Sequence, residues 1–88
     1  MSDRFIGIAT AAYIVPDLEE AKAWYAKAFG AEPYFDEPFY TGFNISGYEL
    51  GLLPAAGDRV AGNSPIAYWA VPDCESEFTR CIELGGTA

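Results

Sequence analysis

Histidine is absent from the 88-residue sequence, and that absence removes both the commonest general base and the commonest metal ligand. Any catalytic scheme would have to rest on carboxylates, tyrosines or the two thiols. Cysteine is scarce as well, with only Cys74 and Cys81 present. They lie seven residues apart within a predicted helix, so their Cα atoms stand about 10 Å apart, whereas a disulfide needs about 7 Å or less. They cannot pair with each other, and on an apolar helical stripe they read as buried packing residues in a reducing compartment. Basic residues number 5 against 13 acidic ones, for a formal net charge of -8. That sign opposes phosphate backbones and anionic lipid surfaces and excludes nucleic acid and membrane as expected partners. No apolar run is long enough to span a bilayer, and no basic-then-apolar leader opens the chain. The expectation is a cytoplasmic protein. Glycine-serine tracts and charge blocks are also missing, which argues against disorder.

What is present is a half-hydrophobic chain, 16% aromatic, of a length that buries about 60–65% of its unfolded surface in one small core. Residues 6–15, IGIATAAYIV, carry no charge and read as a buried strand. Pro16 ends it. Asp17, with Glu20 three residues on, forms a capping-box pattern, and Leu18, Ala21, Trp24, Tyr25, Ala28 and Phe29 follow at helical spacing. Gly30 and Pro33 close the helix. Three short strands are expected at about 31–36, 40–45 and 48–53, the last two joined by a tight hairpin at Ser46-Gly47. Residues 55–65, rich in glycine, proline and alanine, read as a linker after a first unit at 1–54.

The third unit, 66–88, repeats the beginning of the first. A strand at 66–71 runs into Val71-Pro72-Asp73, as the first strand runs into Val15-Pro16-Asp17, and a helix follows with Cys74, Phe78, Cys81 and Ile82 as its apolar positions. Sliding the chain by 56 residues superposes Ala11 on Ala67, Glu19 on Glu75 and Gly30 on Gly86 as well. Such matches at strand end, cap, first turn and helix exit indicate an internal structural repeat.

The order β-α-β-β-β, linker, β-α, with VPDLEEAKAWYAKAFGAEP at its first corner, resembles the vicinal oxygen chelate superfamily, which includes glyoxalases, bleomycin resistance proteins and extradiol dioxygenases. The resemblance implies an α+β fold: a complete βαβββ module followed by the βα start of a second. It also implies that three more strands belong after Ala88, that the parent chain is longer, and that a homodimer covers the exposed sheet edge and helix face.

In metal-dependent relatives of this kind, ligands stand seven residues before each capping aspartate and on the fourth strand, which here selects Thr10, Ile66 and Glu49. Threonine and isoleucine are not ligands for such an ion, and one carboxylate does not hold it, so no metal and no cofactor are expected. Strand alternation from those positions gives a pocket lined by Thr10, Ala12 and Ile14, by Glu49, Gly51 and Leu53, and by Ile66, Tyr68 and Ala70. Tyr13, Val15, Leu50, Leu52, Trp69 and Val71, out of phase, are expected under the helices, while Tyr40, Phe43 and Asn44 are possible walls without an assigned face. The lining suits an aromatic or cationic small molecule held by contact.

Three functions therefore stand open. One is metal-free binding or sequestration of such a molecule in a cup, as in the bleomycin-resistance branch. Another is a metal-dependent lyase, isomerase, thiol transferase or dioxygenase whose remaining ligands lie in a missing C-terminal part. The third is a non-catalytic structural dimerisation unit.

Overall fold

A computed structural model of the chain describes residues 4, 8–62 and 67–87. Six elements follow in order: β1 (Thr10–Val15), α1 (Leu18–Phe29), β2 (Phe35–Glu37), β3 (Tyr40–Ile45), β4 (Tyr48–Pro54) and α2 (Cys74–Glu83). The four strands form one mixed sheet in the order β1-β4-β3-β2, with β1 parallel to β4 and the other pairs antiparallel. This is an α+β βαβββ module, with α1 crossing from β1 to the far edge of the sheet.

The corners form for the reasons their residues suggest. Asp17 accepts the Glu20 amide at 3.1 Å and caps α1, and Asp73 does the same for the Ser76 amide of α2. Gly30 leaves α1 in the left-handed conformation, and the Ala31 amide returns to the Ala26 carbonyl. In α2 the left-handed residue is Gly85, not Gly86, because this helix turns out one residue earlier relative to its capping aspartate. Gly86 instead donates its amide to the Cys81 carbonyl and completes the same motif. The 56-residue slide is thus true of the caps and one residue out at the exits. Ser46 and Gly47 both take positive φ, 51° and 90°, the hairpin turn whose twist matches that of β3 and β4.

Two strands are shorter than their sequences suggest. β1 starts at Thr10 because its partner β4 supplies a parallel register only from Glu49 onward; the expected residues 6 and 7 lie outside the described chain. β2 spans three residues because the turn out of α1 occupies 31–33, and Pro33 has no amide to give the ladder. The expected strand at 66–71 is not formed over 67–71, where no neighbouring strand pairs with the backbone, and Ile66 lies outside the described residues. Residues 55–62, within the expected linker, contain a tight turn in which Ala56 and Arg59 exchange backbone hydrogen bonds.

Phe43, Leu50 and Leu52 form the buried centre, with Tyr13, Val15, Leu18, Ala21, Tyr25 and Phe29 packed around them. Each fully buried side chain of this size contributes about 1.5–3 kcal/mol. Phe43 is therefore core rather than pocket wall. The aromatic contacts run outward from it, Phe43 to Phe29 at 5.4 Å and Phe29 to Trp69 at 5.4 Å. Thr41 is buried beside them with a hydroxyl that finds no partner.

α2 is joined to α1 by a reciprocal clasp. Arg80 donates to the Ala28 and Lys27 carbonyls at 2.8 and 2.9 Å, satisfying the last turn of α1, while the Trp24 indole donates to the Leu84 carbonyl at 2.9 Å. The expected burial of its apolar stripe does not occur: Phe78 and Ile82 are exposed, Cys74 is exposed and Cys81 half-buried. Val71, expected under a helix, is exposed too, because no described element lies over it. Among the described residues no helix is long and apolar enough to cross a membrane.

The exit of α1 gives the first test. Nothing lies within 4 Å of a β-carbon built on Gly30, so Gly30→Ala meets only the left-handed backbone penalty, about 1–2 kcal/mol, read as a lowered urea midpoint. Gly62→Ala, equally unobstructed and without a left-handed φ, is expected to change stability by less than about 0.5 kcal/mol.

Candidate functional site

Alternation along β4 separates two populations. Leu50 and Leu52 point to the helix layer, and Glu49, Gly51 and Leu53 to the opposite, concave face. Register then carries the phase across the sheet. Thr10, Ala12 and Ile14 stand beside Glu49, Gly51 and Leu53, and Asn44 and Gly42 stand opposite Glu49 and Gly51. Tyr40, two residues before Gly42, shares that face, as does Phe35 opposite Gly42.

Glu49 is the centre of the polar contacts there. Its Oε1 accepts the Tyr34 hydroxyl at 2.6 Å, and its Oε2 accepts the hydroxyl of Tyr40. Two glycines make the second bond possible. Gly42 and Gly51 face each other across β3 and β4, and the Tyr40 ring lies over the gap they leave. A β-carbon on Gly51 would fall 2.6 Å from Tyr40 Cε1 and overlap its hydroxyl; one on Gly42 would fall 3.1 Å from Glu49 Oε2 and 3.2 Å from the Tyr40 ring. Tyr34 is placed by its own backbone, whose amide donates to the Gly42 carbonyl at 3.0 Å and extends the ladder past β2.

The electrostatic result follows from the donors. The Tyr34 hydroxyl first, then that of Tyr40, and to a smaller degree Thr10, hold the Glu49 carboxyl below the usual carboxylate range, against a weaker upward push from burial. The partners respond in the opposite sense. Tyr34 is raised chiefly by its bond to Glu49, and Tyr40 by burial and then by that bond. Glu49 is thus a fixed anion, flanked by two phenols that stay neutral.

A cavity of about 730 Å³ opens where the starts of β1 and β4 meet residues 67–70. Of the residues expected to line a pocket, it gathers Thr10, Glu49, Tyr68 and Ala70. Ala12, Ile14, Gly51 and Leu53 lie on the same sheet face but further along the strands, outside this cavity, and Ile66 lies outside the described residues. Trp69 lines it as well, its ring against Phe29 and its indole donating to the Tyr13 hydroxyl at 3.3 Å. Tyr34 is absent from the sequence-derived list, and the facing glycines in YTGFNI and YELGLLP are the feature that could have revealed a bulky residue above them.

The fold and this face define a single βαβββ module whose concave side carries one ionised carboxylate in an otherwise aromatic and apolar setting. The chain belongs to the Glyoxalase/Bleomycin resistance protein/Dioxygenase superfamily, whose model matches residues 7–86, reaching past β4 and through α2. No curated protein matches the sequence.

The metal that this family implies does not fit the donors present. Both Glu49 oxygens already accept phenol hydrogens, the neighbouring first-strand residue is Thr10, and the described residues contain no group of three or more His, Cys, Asp or Glu side chains able to hold an ion.

The Tyr40–Glu49 bond is tested by Gly51→Ala, which pushes the phenol off the carboxylate. Carbon-13 titration of the Glu49 carboxyl is expected to show its midpoint rising toward the ordinary carboxylate range. A depressed folded-state pKa adds stability that is present above the unfolded value and lost as pH falls through the folded one. The part of the Gly51→Ala stability deficit that comes from Glu49 should accordingly be present at neutral pH and disappear as pH falls through the parent's Glu49 pKa, leaving only the steric cost of the added methyl.

Proposed function

We propose that the protein binds and sequesters a small, flat, largely apolar molecule without a metal ion, in the cavity between β1, β4 and residues 67–70, and does so as a cytoplasmic homodimer. The observation that carries this reading is the state of Glu49. Its two oxygens are engaged by Tyr34 and Tyr40, which suits a fixed recognition charge better than a ligand awaiting a cation. The remaining lining, Ala11, Ala67, Tyr68, Trp69 and Ala70 among them, offers mainly contact area.

The dimer is supported by what stands uncovered. Tyr68 is 96% exposed, and Trp69, Val71, Phe78 and Ile82 are each at least 40% exposed along one stretch of chain. β1, the parallel edge of the sheet, also lacks a described neighbour on its outer side. A second copy would cover apolar surface that is costly to leave in water. The two unpaired thiols, one exposed, are consistent with a reducing compartment.

The two tryptophans make the binding test specific, since Trp69 lines the cavity while Trp24 is engaged in the helix clasp. Titration with bleomycin and with planar aromatic compounds is expected to give a saturable fluorescence change that Trp69→Phe abolishes and Trp24→Phe does not. Light scattering is expected to give twice the chain mass at micromolar concentration. A dimer without any saturable ligand would favour the purely structural role, and a well-folded monomer would remove the homodimer from the proposal.

A further inference from the structure

Hydrogen-bond inventory around Glu49 is one-sided. Each phenol has one hydrogen, and Tyr34 and Tyr40 both spend theirs on the carboxylate, so their oxygens offer only lone pairs to anything else. The carboxylate has about four lone-pair directions, of which the phenols use two. Thr10, its cross-strand neighbour, directs its hydroxyl to the same carboxyl. At Glu49 itself the phenols and the carboxylate therefore offer lone pairs, while the remaining donors, the hydroxyls of Ser46, Tyr48 and Tyr68, stand elsewhere around the cavity. Two of the cations are committed elsewhere: Lys22 lies between Glu19 and Asp36, and Arg80 caps α1.

We infer that the molecule taken by this site carries a protonated amine, for which Glu49 is the counter-charge and Tyr34 and Tyr40 are positioning residues that fix the carboxylate's direction. The inference rests on the small-molecule reading above and names its chemical class. An ammonium group brings several N–H donors and a positive charge to an anion whose phenol neighbours offer only lone pairs, whereas a carboxylate ligand would set charge against charge there. An aromatic body on the amine suits the rest of the lining, where Tyr48, Tyr68 and Trp69 stand around the cavity. The net charge of -8 adds a long-range field that concentrates cations at the surface and weakens with salt.

A matched set of probes with one ring system tests this: 1-naphthylmethylamine, 1-naphthylmethanol and 1-naphthoate, titrated into the full chain and followed by amide chemical shifts. The amine is expected to bind at least about tenfold more tightly than the alcohol, the difference a charge-assisted bond supplies, and the naphthoate not at all. Glu49→Gln should erase the difference between amine and alcohol, bringing the amine's affinity down to the alcohol's.

The positioning role is read from pH. The titratable groups around Glu49 are the phenols of Tyr34 before β2, Tyr40 on β3, Tyr48 beside it on β4 and Tyr68 across the cavity, and Glu49 is the carboxyl among the described residues that line it, so an acid-side loss of amine binding reports Glu49. In Tyr34→Phe, a change at an exposed side chain, and in Tyr40→Phe, the pH at which amine binding is half lost should move upward. An unmoved pH midpoint in both variants would overturn the positioning role. Equal affinity for amine and alcohol would overturn the ammonium and leave the small-molecule reading standing; failure of all three probes and of the planar aromatics would overturn both.

Discussion

Two glycines opposite each other, Gly42 on β3 and Gly51 on β4, set the character of the whole concave face. Without β-carbons they leave a trough across the sheet, and Tyr40 lies in it with its hydroxyl on Glu49. Any side chain at Gly51 would lift that ring. The carboxylate would then lose one of its two phenol donors and keep Tyr34. The raised Tyr40 and the part of the Glu49 lowering that Tyr40 supplies, second to that of Tyr34, thus depend on the absence of two methyl groups. Such dependence of an ionisation state on backbone spacing arises because hydrogen bonds to the charged form depress this carboxyl and outweigh the upward push of burial.

The other face is organised by packing alone. Phe43, Leu50 and Leu52 are the buried core, few for a chain of this length, and α1 covers them with Leu18, Ala21, Tyr25 and Phe29. α2 adds little to that core. Its attachment is polar and lies at helix ends, where Arg80 answers the free carbonyls of α1 and Trp24 answers Leu84. Bonds of that kind are specific in direction and modest in strength, about 0.5–1.5 kcal/mol each, or somewhat more where a guanidinium donates. They fix where α2 lies without burying its apolar stripe.

Local chemistry explains which features were legible in the sequence. The aspartate caps, the glycine exit of α1, the Ser46-Gly47 hairpin and the alternation of β4 each depend on residues within a few positions, and each forms as its residues dictate. The face of Thr10, Ala12 and Ile14 follows from the same alternation. Where placement depends on a remote neighbour, the sequence is mute. Tyr34 becomes part of the site through the Gly42 carbonyl eight residues later, and Phe43 is core because α1 lands on it. The segment 67–71 has a strand-like composition but no strand beside it, and composition cannot supply a hydrogen-bonding partner.

That last difference shapes the cavity itself. One wall, Thr10 and Glu49, belongs to paired strands, with β4 held in register by β1 on one side and β3 on the other. The facing wall, residues 67–70, is tied in through a side chain, with Trp69 stacked on Phe29 and bonded to Tyr13. A rigid wall that carries the charge faces one anchored by an aromatic contact to the core. Discrimination between ligands accordingly belongs to the sheet side, where atoms are held by ladder hydrogen bonds. The area of contact belongs to the Trp69 side, where Tyr68 stands almost wholly exposed and has surface to give to whatever enters.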